Sequence, residues 1–173
     1  MNPFFVRIRL PIGLLLAVLC WSCSLWSPLA PANESIHLLL GNPSHAARLD
    51  SQRYKLFLRP QYALLYDRTA HYAAWASWQL NADWLGHRDR PAFTPDPDLP
   101  MGWGPVTPHD YTNSGFDRGH LVPAADRNKT PADLAAVFYM TNIVPQAPDN
   151  NRGPWEALES DCRDWVRAGQ ELY

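Results

Sequence analysis

The sequence contains little lysine and has almost no net charge. Lys55 and Lys129 are the only lysines among its 15 basic residues, and the formal charge of the 173-residue chain is −2. Lysine-rich arms and a strongly basic balance are therefore missing, so net charge gives no support to a nucleic-acid partner. The other basic residues are arginines, whose planar guanidinium groups suit local sites for phosphate or carboxylate oxygens.

Charged residues are also few, at 18%, whereas apolar residues make up 46%. This balance excludes a disordered tail and a coiled coil, and the lack of a self-similar period excludes a repeat array. The chain has 17 prolines and 12% aromatic residues. That combination is typical of a loop-rich α+β or β-rich enzyme, and the length predicts one globular domain.

The first 32 residues resemble a secretory signal peptide. Two arginines precede an apolar run from Leu10 to Leu19, and small and polar residues follow up to Ala32. One proline and one glycine interrupt the run, which is shorter than the ~20 residues of a membrane span. We therefore expect residues 1–32 to be removed and residues 33–173 to be secreted or periplasmic, with no stable membrane partner. An uncleaved N-terminal membrane anchor is the alternative.

Cysteine is scarce and gives no disulfide framework. Cleavage of the predicted signal peptide removes Cys20 and Cys23 and leaves Cys162. The Cys-x-x-Cys spacing lies inside an apolar leader, so we interpret it as coincidence. Cys162 lies on the apolar stripe of a predicted helix, and we expect a buried, inert thiol.

The first half of the predicted mature domain reads as strands followed by a loop. Three strand-like runs, 54–59, 62–66 and 71–80, predict an antiparallel meander. From Pro91 to Pro108 the chain carries six prolines and two glycines, which excludes regular structure and predicts a long wrapped loop. Loops of that length in compact domains usually serve function.

The second half alternates short extended segments with helices. Phe116 to Val122 is extended, and Thr130 is a good N-cap for a helix that begins at Pro131. Met140 to Val144 is typical of a short strand. The apolar spacing predicts a last helix from Asn151 to Gly169, where the glycine fits a C-terminal stop.

His120 is the first residue that suggests chemistry. A lone histidine is more often structural than catalytic. Its neighbours favour catalysis here. Gly119 removes a side chain beside the imidazole, so that a bulky substrate can approach, and Arg118 places a phosphate-binding group next to a possible proton acceptor. A zinc site is not indicated, since His109 and His120 have no further ligands at short spacing.

Two features near the last helix have both a functional and a structural interpretation. Asn150 and Asn151 offer amide oxygens that suit Mg²⁺, but from these residues alone ordinary helix capping is favoured. Glu159 and Arg163 are four residues apart on one helix face. They form either a solvated surface pair or part of a site, and the spacing does not decide between these.

Three ordered blocks lie in this half of the chain. They run from Asp117-Arg-Gly-His to Asp126, from Tyr139 to Gln146 through Thr-Asn-Ile-Val-Pro, and from Asp149-Asn-Asn-Arg to Glu159. Together they resemble the DNA/RNA non-specific endonuclease family, which includes secreted bacterial sugar-non-specific nucleases and mitochondrial endonuclease G. The resemblance extends from about Leu38 to the end of the chain.

This resemblance implies an α+β fold in which helices flank an antiparallel sheet that carries a ββα-metal active site. It implies that the substrate is the phosphate backbone of DNA and RNA. His120 matches the general base that takes a proton from water. Asn151 matches the single direct ligand of a divalent cation, Mg²⁺ or alternatively Mn²⁺ or another ion, and Glu159 matches the acid that orients water on that ion.

The resemblance also implies phosphate contacts for three arginines. Arg118 precedes the Gly-His pair, and Arg163 lies one turn after Glu159. Arg90 is similar in place to an upstream arginine that clamps phosphate, although Arg88 is only two residues away.

Known family members continue beyond the position that corresponds to Tyr173, where the chain enters a further strand. We therefore expect the C-terminal part of the family fold to be missing from residues 33–173, which would leave an unpaired sheet edge. A truncated, inactive relative that binds nucleic acid weakly, or a non-functional fragment, is the alternative function. A small secreted binding domain that uses the proline-rich loop is a third.

Overall fold

A computed structural model describes residues 35–44 and 51–173, which lie in one unit, Glu34–Tyr173. The predicted signal peptide, including Cys20 and Cys23, falls outside the described residues. Among the helices that are described, none combines the length and the apolar character needed to cross a membrane.

Three strands form the meander that the hydrophobic pattern predicts. They are β1 (Tyr54–Leu58), β2 (Ala63–Asp67) and β3 (Tyr72–Ser77), paired antiparallel in the order β1-β2-β3. Every residue of the central strand β2 is buried, which explains why its sequence is not alternating. The strand predicted to reach Leu80 ends at Ser77, so that Trp78 and Gln79 belong to the segment that leaves the sheet.

Two further strands build a second sheet that carries His120. Strand β4 (Asp117–His120) pairs antiparallel with β5 (Ile143–Gln146), with Gly119 opposite Val144. The prediction of a strand from Met140 is wrong at its start, because residues 140–142 form a 3₁₀ turn. The buried Asn142 side chain holds that turn by accepting from the Val122 N–H and donating to two backbone carbonyl groups, each at 3.0 Å.

The first helix, α1 (Pro131–Val137), begins where its cap predicts. The Thr130 hydroxyl accepts a hydrogen bond from the Asp133 N–H at 3.1 Å. Leu134 and Val137 are buried in the core between this helix and the meander. The Tyr62 hydroxyl donates to the Ala136 carbonyl at 2.8 Å and fixes the helix to the sheet.

The predicted last helix is interrupted at its start. A short turn α2 (Pro148–Asn150) leads into a π-helical stretch, Asn151–Trp155, before helix α3 (Glu156–Arg167) begins. Gly153 has non-helical dihedral angles (φ −125°, ψ −106°) and is followed by Pro154, which cannot continue a regular hydrogen-bond ladder. The predicted C-terminal stop is confirmed, since Gly169 adopts φ +96°.

Much of the apolar stripe of α3 remains accessible. Val166 is buried, but Leu158 and Trp165 are each 49% exposed. Cys162 is half-buried, whereas the sequence predicts a buried thiol. Desolvation and nearby acidic groups raise the pKa of Cys162, which disfavours the thiolate and agrees with an inert cysteine.

The proline-rich segment is the long wrapped loop that its composition predicts. Two backbone hydrogen bonds join the loop to the segment that follows α1. The Thr94 N–H donates to the Phe138 carbonyl, and the Thr94 carbonyl accepts from the Met140 N–H. The buried Asp96 carboxylate pairs with Arg59 at 2.6 Å and anchors the loop to the end of β1. These contacts bring the preceding residues of the loop to the edge of the second sheet.

Candidate active site

The strands and helices enclose a cleft of about 450 Å³, which we call the active cleft. The six residues predicted from the sequence all line it. They are Arg90, Arg118, His120, Asn151, Glu159 and Arg163. Other residues of the lining are Phe93, Asp117, Ala124, Ala125, Arg152 and Glu156. Arg88 is not part of this lining, and its Nε instead donates to the Lys129 carbonyl at 3.4 Å.

His120 lies at the end of β4 with its ring between two aromatic side chains. The ring centroids of Phe93 and Phe138 are 5.4 and 4.9 Å from that of the imidazole. The Nε2 atom is buried and has no hydrogen-bond partner among the described residues. Burial, together with the positive charge of Arg90, lowers the pKa of His120 to about 4. The ring is therefore neutral at neutral pH and can accept a proton.

Gly119 is needed for packing within the sheet. A Cβ atom at this position would lie 2.1 Å from Oε1 and 2.7 Å from Cβ of Gln146, whose side chain crosses the glycine from β5. The structure therefore gives Gly119 a packing role that the sequence-based explanation, room for a bulky substrate, did not include. The space is occupied by the side chain of Gln146.

Asn151 is oriented by an acidic residue that also lines the active cleft. Its Nδ2 donates to Oδ2 of Asp117 at 2.9 Å. A carboxylate is an acceptor, so the NH₂ group of the amide must face it, and Oδ1 is left without a hydrogen bond among the described residues. Neither Asn150 nor Asn151 makes a side-chain capping bond. The capping interpretation favoured from these residues alone is therefore wrong.

The amide oxygen of Asn151 fits a hard divalent cation. The described residues contain no cluster of three histidine, cysteine or acidic side chains that would hold a metal ion. An ion that binds through one protein oxygen and retains most of its water molecules matches this donor set, and Mg²⁺ has that preference. Asp117, Glu156 and Glu159 line the same cleft and supply the negative charge that a cation requires.

Two arginines of the active cleft have no carboxylate partner among the described residues. The guanidinium group of Arg118 donates from Nη2 to the Pro108 carbonyl at 2.7 Å and lies 5.7 Å from the ring centre of Phe93. Arg90 is exposed and makes no ion pair within this part of the chain. Arginines that are not neutralised by an acid are suited to binding anionic oxygens.

Glu159 and Arg163 are directed into the protein. Nη1 of Arg163 lies 3.7 Å from Oε2 of Glu159 and 3.1 Å from Oδ1 of the buried Asp126. This geometry excludes the solvated surface pair that the spacing alone allowed. Burial is the main cause that raises the pKa of Glu159 to about 7, and the neighbouring Asp126 contributes while Arg163 opposes the shift.

Sequence reasoning gave no role to three residues that shape this site. Asp117 accepts from Asn151 and pairs with Arg152 at 2.6 Å, Arg152 lines the active cleft, and Asp126 contacts Arg163. Asp117 and Asp126 stand within the first sequence block, but local pattern does not show which long-range partner a motif acid meets.

Comparison with known proteins gives a family match. A model of the DNA/RNA non-specific endonuclease family matches residues 43–173. A nuclease from Nostoc sp. is 47% identical over 173 residues, which is 95% of this chain and 63% of the relative. Mitochondrial endonuclease G from Bos taurus is 36% identical over 118 residues, which is 66% of this chain and 39% of the relative. The chain thus spans less than two thirds of the length of these relatives.

A solved structure also shares the fold. A chain of the crystal structure of the EndoG/EndoGI complex, which addresses the mechanism of EndoG inhibition, aligns with a TM-score of 0.64 and 26% identity. The alignment covers 76% of this chain and 52% of the other. The α+β architecture with antiparallel sheets and flanking helices, expected from the sequence, is thereby confirmed.

Proposed function

Since the chain belongs to the DNA/RNA non-specific endonuclease family, we propose that it hydrolyses phosphodiester bonds of DNA and RNA with little sequence or sugar selectivity. One observation carries this proposal. A neutral imidazole, an oriented amide oxygen and arginines without acidic partners line the same cleft. Water activation, cation binding and phosphate binding are the three tasks that phosphodiester hydrolysis requires.

The low selectivity follows from the chemistry of the lining. The cationic groups of the active cleft are guanidinium groups, which suit the phosphate oxygens that DNA and RNA have in common. Contacts to phosphate position a nucleic acid but do not distinguish its bases. Hydrogen bonds to base edges or to a 2′-hydroxyl are thus not needed for the substrate to bind.

His120 is the proposed general base. As a neutral imidazole it accepts a proton from a water molecule while the water oxygen forms a bond to phosphorus and the bond to a bridging oxygen breaks. A phosphate bound in the cleft adds negative charge beside the ring, which opposes the effect of Arg90 and raises the basicity of the imidazole. Phe93 and Phe138 limit the positions that the ring can take.

The arginines reduce the electrostatic repulsion that a phosphodiester presents to an attacking water molecule. Arg118 is fixed by the Pro108 carbonyl, so that its remaining N–H groups can donate to a non-bridging oxygen with little loss of entropy. Arg90 reaches the cleft from the proline-rich loop, and Arg163 reaches it from α3. Charge that develops on the phosphate in the transition state strengthens all three interactions.

Asn151 would hold the divalent cation through Oδ1, with Mg²⁺ as the proposed ion and Mn²⁺ as an alternative. When bound, such a cation acts as a Lewis acid that stabilises negative charge on phosphate and leaving-group oxygens. Glu159, once ionised, accepts hydrogen bonds from water in the cleft and limits its orientation. Asp117 keeps the Asn151 amide in the required direction.

The same proposal includes the location of the protein. The sequence pattern of residues 1–32 supports export through a signal peptide and a secreted or periplasmic enzyme. Export would bring the enzyme into contact with nucleic acid outside the cytoplasm. Expression of the full chain, followed by N-terminal sequencing of protein from the periplasm and the medium, tests both the cleavage and its position.

Hydrolysis is tested with purified protein on supercoiled plasmid DNA and on single-stranded RNA, with MgCl₂ or with EDTA. We expect both substrates to be degraded only when the cation is present. His120→Ala is expected to abolish hydrolysis, and His109→Ala is the matched control because His109 is exposed and outside the active cleft. Binding of both polymers without hydrolysis would instead support a nucleic-acid-binding relative.

A further inference from the structure

Asp126 is a buried carboxylate that contacts one wall of the active cleft from behind. Its side chain lies in the 3₁₀ turn Ala124–Arg127, shortly after His120, and the residue is 1% exposed. Oδ2 accepts from the indole Nε1 of Trp78 at 3.0 Å, and Oδ1 accepts from Nη1 of Arg163 at 3.1 Å. Asp126 is not among the residues that line the active cleft.

Arg163 lies between two acids at unequal distances. Nη1 is 3.1 Å from Asp126 and 3.7 Å from Glu159, so the hydrogen bond is made to Asp126 and the contact with Glu159 is looser. Burial of a carboxylate costs free energy unless it is paired and hydrogen-bonded. Asp126 meets this requirement with Trp78 and Arg163, and the pair thereby restricts the guanidinium group to one side of α3.

We propose that Asp126 is a positioning residue that holds Arg163, and through it Glu159, in the geometry required for phosphodiester hydrolysis. Trp78 orients the carboxylate, and the carboxylate orients the guanidinium group. The remaining N–H groups of Arg163 then face a bound phosphate. The effect of this role on hydrolysis rests on the proposed nuclease function. The contacts of Asp126 with Trp78 and Arg163 are independent of that function.

Electrostatics give Asp126 a second effect on the same wall. The charged groups that act on Glu159 are Arg163, Asp126 and Arg90, and the negative charge of Asp126 contributes to the raised pKa of Glu159. Removal of that charge favours the ionised form of Glu159. The pH profile of hydrolysis therefore responds to Asp126 in a way that a change of packing alone does not explain.

A double-mutant cycle tests the proposal with supercoiled plasmid in MgCl₂. Asp126→Asn keeps the shape of the side chain but offers Arg163 a weaker, uncharged partner. We expect Asp126→Asn and Arg163→Ala each to lower kcat roughly 10- to 100-fold, and the double variant to be no worse than Arg163→Ala alone. Losses that multiply would overturn the proposal, since they would mean that Asp126 acts independently of Arg163.

Two further variants separate positioning from general loss of stability. Trp78→Phe removes one donor to Asp126 and should lower kcat by a smaller factor, again without further effect in the Arg163→Ala background. If urea-unfolding controls show that Asp126→Asn is not folded, the cycle of Trp78→Phe with Arg163→Ala decides the question by the same criterion. Asp67→Asn is the matched control, because Asp67 is buried, pairs with Arg53 and lies outside the active cleft.

Asp67→Asn is expected to lose stability while kcat stays within about twofold of the parent. A loss of kcat equal to that of Asp126→Asn at the same loss of stability would overturn the proposal. The acid side of the pH profile should move to lower pH in Asp126→Asn and remain in place in Asp67→Asn. An unmoved profile in Asp126→Asn would also count against the proposed role.

Binding of a short fluorescein-labelled single-stranded DNA in EDTA distinguishes this proposal from the proposed function. If the parent chain hydrolyses nothing, the nuclease function fails. The binding cycle then decides the positioning role, because equal weakening by Asp126→Asn, Arg163→Ala and the double variant supports it. Additive weakening in that assay overturns it.

Discussion

The Nδ2 atom of Asn151 donates a hydrogen bond to Asp117 across 2.9 Å. This bond joins the start of the interrupted helix to the strand that carries His120, so the candidate cation ligand and the candidate base have a common support. The carboxylate also pairs with Arg152 at 2.6 Å. The position of the amide oxygen therefore depends on Asp117, which is not itself a proposed ligand of the cation.

Asp117→Ala should weaken cation binding. Without the carboxylate, the Asn151 amide loses the partner that fixes its direction, and loss of such an outer partner typically reduces metal affinity or activity about 10- to 100-fold. We expect the Mg²⁺ concentration for half-maximal plasmid hydrolysis to rise by a factor in this range. Asp98→Ala serves as the control, since Asp98 also pairs with an arginine, Arg59, at 2.9 Å but is not part of the active-cleft lining. An unchanged Mg²⁺ requirement in Asp117→Ala would contradict the orienting role.

The His120 ring should titrate far below the usual range of histidine. Burial and Arg90 lower its pKa to about 4, whereas the unfolded chain has the ordinary value of 6.5. The unfolded state therefore binds more protons between these values, and the free energy of unfolding falls as pH decreases from 6.5 through 4. NMR titration of the His120 ring measures the pKa directly. Arg90→Gln should raise it, because a positive charge near the ring is removed.

The linked loss of stability can be measured in the same pH range. A depression of this size corresponds to a loss on the order of 3 kcal/mol once pH is below 4. His120→Gln lacks the titrating group. In urea-unfolding experiments the free energy of unfolding of the parent, measured relative to that of His120→Gln, should therefore fall as pH decreases from 6.5 to 4. A difference that is independent of pH would show that His120 is solvated like an ordinary histidine.

Glu159 contributes a pH dependence of stability of the opposite sign to that of His120. Its pKa is raised from 4.5 to about 7, mainly by burial, so the folded state binds more protons between these values and stability falls as pH rises through them. Glu159→Gln resembles the protonated form. We expect it to match the parent at pH 4 and to exceed it at pH 8 by at most about 3 kcal/mol in urea unfolding with EDTA, while hydrolysis is lost. Equal stability at pH 8 would contradict this expectation.

The sequence predicts the candidate site residues better than it predicts the contacts that hold them in place. His120, Asn151 and Glu159 lie in contiguous blocks of characteristic residues, and the fold brings these blocks to one cleft. The contact between Trp78 and Asp126 joins positions 48 residues apart, and no local pattern indicates it.

The apolar period also misplaced the start of the last helix, although a local Gly-Pro signal for the interruption was present. The apolar period predicts one helix from Asn151, yet Gly153 and Pro154 interrupt it before α3 begins. The interruption turns Asn151 toward Asp117 instead of leaving it as a helix cap. The accessible part of the α3 stripe shows a similar limit, because periodicity identifies an apolar face but does not show how much of it is covered.

Arg127 should be among the most important residues for stability. Its guanidinium group is fully buried, donates to the carbonyl groups of Gln61, Asp126 and Gln79 at 2.6 to 2.7 Å, and stacks on Trp84. Lysine cannot reproduce this three-way geometry and would leave buried carbonyl groups unpaired. We expect Arg127→Lys to lower the free energy of unfolding by about 3 kcal/mol.

The control for Arg127 is Arg167→Lys, because Arg167 is exposed and forms a surface pair with Asp164 at 2.7 Å. That change should cost less than about 0.5 kcal/mol. Urea unfolding followed by tryptophan fluorescence compares the two variants under identical conditions. A similar, small effect in both would show that the buried hydrogen bonds of Arg127 contribute little.

Gly119→Ala distinguishes packing from substrate access as the reason for the glycine next to His120. The new methyl group would lie 2.1 Å from Oε1 and 2.7 Å from Cβ of Gln146, so one strand must move relative to the other. We expect loss of both stability and hydrolysis, since overpacking costs about 1 to 3 kcal/mol and His120 moves with β4. Gln146→Ala removes most of the obstructing side chain.

The double variant Gly119→Ala, Gln146→Ala therefore decides between the two explanations. If the glycine serves packing, the second substitution relieves the clash, and the double variant should be more stable and more active than Gly119→Ala alone. If the glycine serves the approach of the substrate, stability recovers but hydrolysis does not, because the methyl group still stands beside the imidazole. Since Gln146 fills the space in front of Gly119, we expect stability and hydrolysis to recover together.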